Sequence, residues 1–214
     1  MHPLGEILEA AARGRFPRPD GGVTFVPELD DGTSAVVAFT AHAVVATSLT
    51  PDDLDGTGLD GYGGAMSPRA LLRLAGDGTI GVIDVTLVAA GRGGGTLART
   101  RQWDDHDRVR YARSRRSDVV VHGDGDGFVT IGAGLAGRRE MSIELTAAPH
   151  GRGAGRRLIA EALALVEPDA FVFAAVAPGN ARSLRAFLSQ GFTPVGSEVH
   201  IDRRSSRPAP GGAS

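Results

Sequence analysis

Apolar positions recur along this chain at helical spacing in some stretches and as short continuous or alternating runs in others, and this alone predicts most of its elements. Leu4 to Ala12 has the helical spacing and stops before Gly14 and Pro17. Val23 to Val26 is a short strand, and Ala35 to Leu49 is apolar for long enough to be one bent or broken strand, with Asp31-Gly32 as the turn between them. Ser67-Pro68 supplies an N-cap and a proline for the first helical position, so a short helix over Arg69 to Leu74 is expected. Thr79 to Ala90 reads as a strong strand closed by the glycines of 91–95. Trp103 to Arg116 begins with Asp104, Asp105 and Asp107 and ends with Arg113, Arg115 and Arg116, a charge order that complements a helix dipole.

The second half is more regular. Asp118 to His122 and Phe128 to Ile131 are strands around the turn Gly123-Asp124-Gly125-Asp126-Gly127. Met141, Ile143 and Leu145 alternate with Glu140, Ser142 and Glu144, which puts the two glutamates on one face of a strand. Leu158, Ile159, Ala162, Leu163, Leu165 and Val166 form one apolar helical face ended by Pro168, and Ala170 to Ala177 is a buried strand. Together these predict a β-turn-α-β unit with parallel strands. Asn180 caps a further helix carrying Leu184, Phe187 and Leu188, Gly191 ends it, and Phe192 to Val195 and Ser197 to Ile201 follow as a pair of strands. Residues 203–214 read as a disordered Pro/Gly/Ser tail.

Composition narrows the classes. At 214 residues the chain can hold one large domain or two small ones. Its net charge of −2 argues against a general nucleic-acid binder, and all 23 basic residues are arginine. Without cysteine there is no disulfide, thiolate metal site or cysteine nucleophile. Glu6, Glu9, Arg13 and Arg15 interrupt any signal-peptide core, and no apolar run is long enough to span a membrane. A cytoplasmic protein with no membrane partner is expected.

Four stretches carry candidate chemistry. The turn His150-Gly151-Arg152-Gly153-Ala154-Gly155-Arg156-Arg157 lies between a strand and a helix, where free backbone N–H groups suit a phosphate or pyrophosphate. Gly132-Ala133-Gly134-Leu135-Ala136-Gly137 spells a dinucleotide fingerprint, but a strand rather than a helix follows it. The Asp-Gly repeat at 124–127 begins like a calcium loop, then places Phe128 at a ligand position and lacks the closing Glu. His106 sits among aspartates that point apart on a helix, so no metal is expected there.

The second half, over roughly residues 101–201, resembles the GNAT superfamily of N-acetyltransferases. The resemblance rests on the turn His150–Gly155 with Leu145 five positions ahead of it, on Asn180 after Pro178-Gly179, and on Gly191-Phe192 closing the late helix. It implies an α/β fold with a GNAT-like central mixed sheet flanked by helices, occupying 79–202. Residues 1–78 form an N-terminal α/β segment open to extending the sheet, mediating a homodimer or forming a degenerate second copy. The implied activity is acetyl-CoA-dependent transfer of an acetyl group to the amine of a small molecule or peptide by direct attack, with acetyl-CoA as cosubstrate and no metal. The backbone of 152–157 would bind the pyrophosphate, an N–H of Leu145, Thr146 or Ala147 the thioester carbonyl, and Asn180 and Phe187 would border the cofactor. Glu140 and Glu144 are the candidate general bases. Two residues depart from the family pattern: His150 replaces a Gln or Arg, and Phe187 stands where many members carry a tyrosine acid. The second departure supports an alternative, a catalytically weak acyl-CoA-binding or regulatory protein.

Overall fold

The computed structural model describes residues 1–146 and 153–203. Among these residues, five α-helices flank one mixed sheet of ten strands. In chain order these are α1 (Pro3–Ala12), β1 (Val23–Val26), β2 (Ser34–Phe39), β3 (His42–Ala46), α2 (Pro68–Ala75), β4 (Thr79–Ile80) and β5 (Asp84–Ala90). Then come α3 (Asp107–Arg115), β6 (Ser117–Asp124), β7 (Gly127–Ala133), β8 (Arg139–Leu145), α4 (Ala154–Ala164), β9 (Phe171–Val176), α5 (Ala181–Leu188) and β10 (Thr193–Asp202). The spatial order is β1-β3-β2-β10-β5-β9-β8-β7-β6, with β4 beside β10. Among the described residues, β1–β3 and β8–β9 run parallel and the other pairs antiparallel.

Alternation along the strands divides the core between two faces. Val172 and Ala174 face α4 and α5, together with Leu158, Ile159, Leu163 and Phe187, whereas Phe173 faces the other way toward α1 with Leu4 and Leu8. Val36, Val45, Val199 and Ile201 meet Leu71 and Leu74 of α2, while Val37 and Val44 meet α1. Helix α3 lies on the α1 face, its Val109 packed with Val121, Phe128 and Trp103. The result is three layers, with α1 and α3 on one side and α2, α4 and α5 on the other.

Several boundaries differ from the sequence expectation, each for a local reason. The apolar run from Ala35 is a hairpin rather than one strand. Its turn uses Ala41 at φ 50°, a left-handed position without the glycine that would have marked it. The run from Thr79 is split, because Gly81 steps out to donate to the His200 carbonyl and Val82 is left exposed. The expected last pair of strands is one strand, β10. Gly196 sits at a bulge in its middle, where a Cβ would collide with the Ala38 carbonyl of the neighbouring strand. The helix expected from Trp103 begins at Asp107. His106 is its N-cap, accepting from the Arg108 N–H, and its ring lies 5.0 Å from that of Phe128.

The sheet joins both halves of the chain. Strand β10 lies between β2 and β5, and β5 in turn separates β10 from β9. The β8-α4-β9 unit is parallel, as expected. At the far edge, His42 holds Asp20 through Nδ1 and Thr24 through Nε2, both at 2.9 Å, tying strand β1 to β3. No helix of the described residues is long and apolar enough to cross a membrane.

Candidate active site

One register pair, Glu140 with Phe173, joins β8 to β9, and beyond it the two strands part. The β7–β8 ladder fixes what the parted edge offers. The Thr146 N–H donates to the Asp126 carbonyl at 3.0 Å, and the Gly134 N–H to the Arg138 carbonyl at 2.8 Å. In an antiparallel ladder every second residue faces its partner strand, so Glu140, Ser142, Glu144 and Thr146 turn their N–H groups toward β7. Those of Met141, Ile143 and Leu145 face the β9 side, where past Phe173 no strand of the described residues receives them. Two backbone donors, at Ile143 and Leu145, thus border the gap. The Thr146 N–H is already taken.

On one side of the gap lies a groove of about 840 Å³, lined by Ile143, Leu145, the start of α4 from Gly153 to Arg156, and the facing side of α5. Gly153 is the N-cap at φ 110°, with no side-chain cap bond, so the first N–H groups of α4 have no intrahelical acceptor. Gly155 lies flat against the tips of Ile143 and Leu145, 3.6–3.9 Å from where its Cβ would stand. Arg156 lines the groove. Arg157 does not: its guanidinium binds Asp124, Asp126 and Glu161 at 2.9–3.1 Å, tying α4 to the turn of the β6–β7 hairpin. The two aspartates of that turn, which resemble a calcium loop in sequence, therefore serve a helix. Free amides at the head of an 11-residue helix, a groove over them and an arginine with no ion-pair partner among the described residues suit a pyrophosphate. Ala147, His150, Gly151 and Arg152 lie outside the described residues.

On the other side of the gap is a more enclosed cavity of about 360 Å³, and Ile143 and Ser183 line both spaces. Its walls come from β5, α3, β8, the end of β9, α5 and β10. Asn180 lines it while capping α5, accepting from the Ser183 N–H at 3.1 Å. Phe187 also borders it, 3% exposed and edge-on to Phe192 with ring centres 4.9 Å apart. That contact makes Phe187 a packing residue without a proton to give.

Beneath the cavity runs a buried ionic chain. Arg138, with its side chain 2% exposed, holds Glu140 at 2.8 Å and Glu198 at 2.7 Å and lies 4.8 Å over the Phe173 ring. Glu140 takes a further bond from Arg116 at 3.0 Å and one from the Leu135 N–H at 3.0 Å. Thr86 donates to Glu198 at 2.6 Å. Burial alone would push Glu198 up, but Arg138, aided by His200 and Thr86, holds its carboxyl well below the usual carboxylate range. Gly134 of the fingerprint-like run leaves the space that the Glu140 carboxylate fills. That run therefore serves packing, which agrees with rejecting it as a dinucleotide site.

The two candidate bases stand differently from one another and from what a free base needs. Glu140 is at the cavity wall with its oxygens taken by two arginines and an amide. Glu144 shares its face but pairs opposite Phe128 and lines neither cavity nor groove. The carboxylate that the sequence reading missed is Asp84, the first residue of β5. It is half-buried in the cavity and has no hydrogen-bond or ion-pair partner among the described residues. Burial, and the charge of Glu198 directly across the strand pair, push its carboxyl up to about 6. No motif marks it, since its surroundings come from β10 and α3.

No family model matches the chain, and no curated protein matches it. Among solved structures it is similar to a GNAT-family protein from Novosphingobium aromaticivorans, with 13% identity over 57% of this chain and 63% of the other and a TM-score of 0.41. It is also similar to a GCN5-related N-acetyltransferase from Kribbella flavida, with 17% identity over 64% and 65% of the two chains and a TM-score of 0.39. An acetyltransferase from the GNAT family of Colwellia psychrerythraea shares 9% identity over 59% and 57%, with a TM-score of 0.37. The chain spans less than two thirds of the length of each.

Proposed function

We propose that this protein is an acetyl-CoA-dependent N-acetyltransferase of the GNAT type that acts on an amine held in the cavity between α3, β5 and β10. The observation that carries this reading is the gap between β8 and β9, with a phosphate-suited groove on one side and a polar cavity on the other, meeting at Ile143 and Ser183. In this reading the start of α4 from Gly153 to Arg156 receives the pyrophosphate. The Leu145 N–H holds the thioester carbonyl as charge develops on its oxygen. An amine entering from the cavity then reaches the carbonyl from the opposite side. Glu140, fully paired, orients Arg116 and Arg138 rather than moving protons.

Calorimetry with acetyl-CoA, desulfo-CoA and NADPH tests the reading. Saturable binding of acetyl-CoA and CoA release in the presence of an amine are expected, and stabilisation by the dinucleotide alone would sink it. Phe187 supports a second reading, an acyl-CoA-binding protein without turnover, because that position supplies no acid for the departing thiolate. Tight acetyl-CoA binding with no CoA release across a broad amine panel is the outcome that would favour it. A CoA thiolate is a good leaving group, so the buried phenylalanine does not by itself forbid turnover.

A further inference from the structure

The ionic groups around the cavity divide into those with partners and those without. Glu140 has Arg116 and Arg138, Glu198 has Arg138, and Asp202 has Arg115. His200 leans on Glu198 at 3.7 Å. Two side chains remain, Asp84 from β5 and Arg108 from α3, both lining the cavity and neither engaged by another described side chain. They do not pair with one another, although Arg108 is near enough for its charge to stabilise the Asp84 carboxylate. A half-buried carboxylate with no partner is unfavourable in the free protein, and it becomes favourable when a ligand cation fills the place.

We propose that the acceptor is a compact zwitterionic amine, an amino acid or close relative, whose ammonium docks on Asp84 and whose carboxylate is met by Arg108. The proposal rests on the acetyltransferase reading and gives it a substrate class. A simple monoamine would answer Asp84 and leave Arg108 idle, and an anionic acceptor without an ammonium would be repelled by Asp84. A free space of about 360 Å³ is at the small end of ligand pockets and suits such a molecule. The acid–base steps balance with the groups present. Asp84 takes one proton from the ammonium and passes it to solvent. The neutral nitrogen attacks the thioester carbon, the C–N bond forms as the C–S bond breaks, and the nitrogen's second proton ends on the CoA thiolate. Asp84 is suited to this because its carboxyl, held near 6, is ionised at neutral pH yet more basic than an ordinary aspartate.

The test uses the full chain. Acetyl-CoA binding is measured first by calorimetry, and CoA release is then followed with L-amino acids, each beside its carboxamide and its decarboxylated amine. At least one amino acid should exceed its carboxamide in kcat/KM by about tenfold or more, as expected for a charged contact. Arg108→Gln should bring that ratio close to one. Asp84→Asn should lower kcat/KM by about 100-fold or more and remove the rise of rate as pH increases through the Asp84 titration. If acetyl-CoA binds but amino acids and carboxamides react alike, or only plain amines react, or nothing reacts, the zwitterion assignment is overturned. An unchanged ratio in Arg108→Gln would overturn it as well. If acetyl-CoA does not bind at all, the enzyme reading itself fails, and this is seen before any amine is added.

Discussion

Arg138 illustrates how much a single side chain can hold in this fold. Its guanidinium spans from the head of β8, across Phe173 of β9, to Glu198 of β10, and so joins strands that are not neighbours in the sheet. Buried ion pairs add little over a well-packed apolar substitute, but removing Arg138 leaves Glu198 buried without its arginine, while Glu140 keeps Arg116. Arg138→Met should therefore lower unfolding free energy by about 3–5 kcal/mol in denaturant titrations. A double variant that also replaces Glu198 by Leu should recover part of that loss, since Glu140 keeps Arg116. Asp84 makes the opposite case. Its folded-state pKa is raised from 3.8 to about 6, so the folded protein binds this proton more tightly than the unfolded chain. The group costs nothing below pH 4, costs more as pH rises from 4 to 6, and costs its full amount above that. Asp84→Asn should consequently be more stable than the native protein by about 1 kcal/mol at pH 7.5, allowing for solvent screening of a half-exposed group, and equal to it near pH 3.5. Thermal unfolding of both proteins across this range measures the difference.

At the scale of elements, the start of α4 matters most. Gly153 sits at φ 110°, where a Cβ is disfavoured, and it aims the first amides of the helix into the groove. Gly153→Ala should cost about 1–2 kcal/mol of stability and weaken acetyl-CoA binding severalfold, read by thermal shift and calorimetry on the same sample. This element was legible in the sequence, because a strand, a glycine turn, an amphipathic helix and a buried strand follow one another without interruption. Asn180 was legible for the same reason, a cap being a matter of neighbouring residues. The hairpin over β2 and β3 was not, since Ala41 occupies a left-handed position that composition does not announce. Nor was the division of labour between Arg156 and Arg157. Adjacent on the helix, they point apart, and only the β6–β7 turn with its two aspartates decided which one was taken.

For the whole molecule, the sheet order decides whether the two halves can live apart. Strand β5 from the first half lies between β9 and β10 of the second, and β10 carries β2 along its other edge. We propose residues 79–202 as the catalytic unit, but a chain beginning at Thr79 would bare the β10 edge and the apolar face that Val36, Val45, Leu71 and Leu74 now cover. It should be lost to aggregation or run as an oligomer in size-exclusion chromatography, and a folded monomer would show that the first 78 residues are dispensable.

By itself the sequence determined the β8-α4-β9 unit, the cap at Asn180 and the face on which Glu140 and Glu144 lie, because periodicity, caps and turn residues act over a few positions. The tertiary structure alone decided the charges. Glu198 meets Arg138 from 60 residues away and Thr86 from 112, and Asp84 finds itself opposite Glu198 with no ion-pair partner among the described residues. Which carboxylate is neutralised and which is left waiting depends on strand order, and strand order is set by long-range packing that no local pattern records.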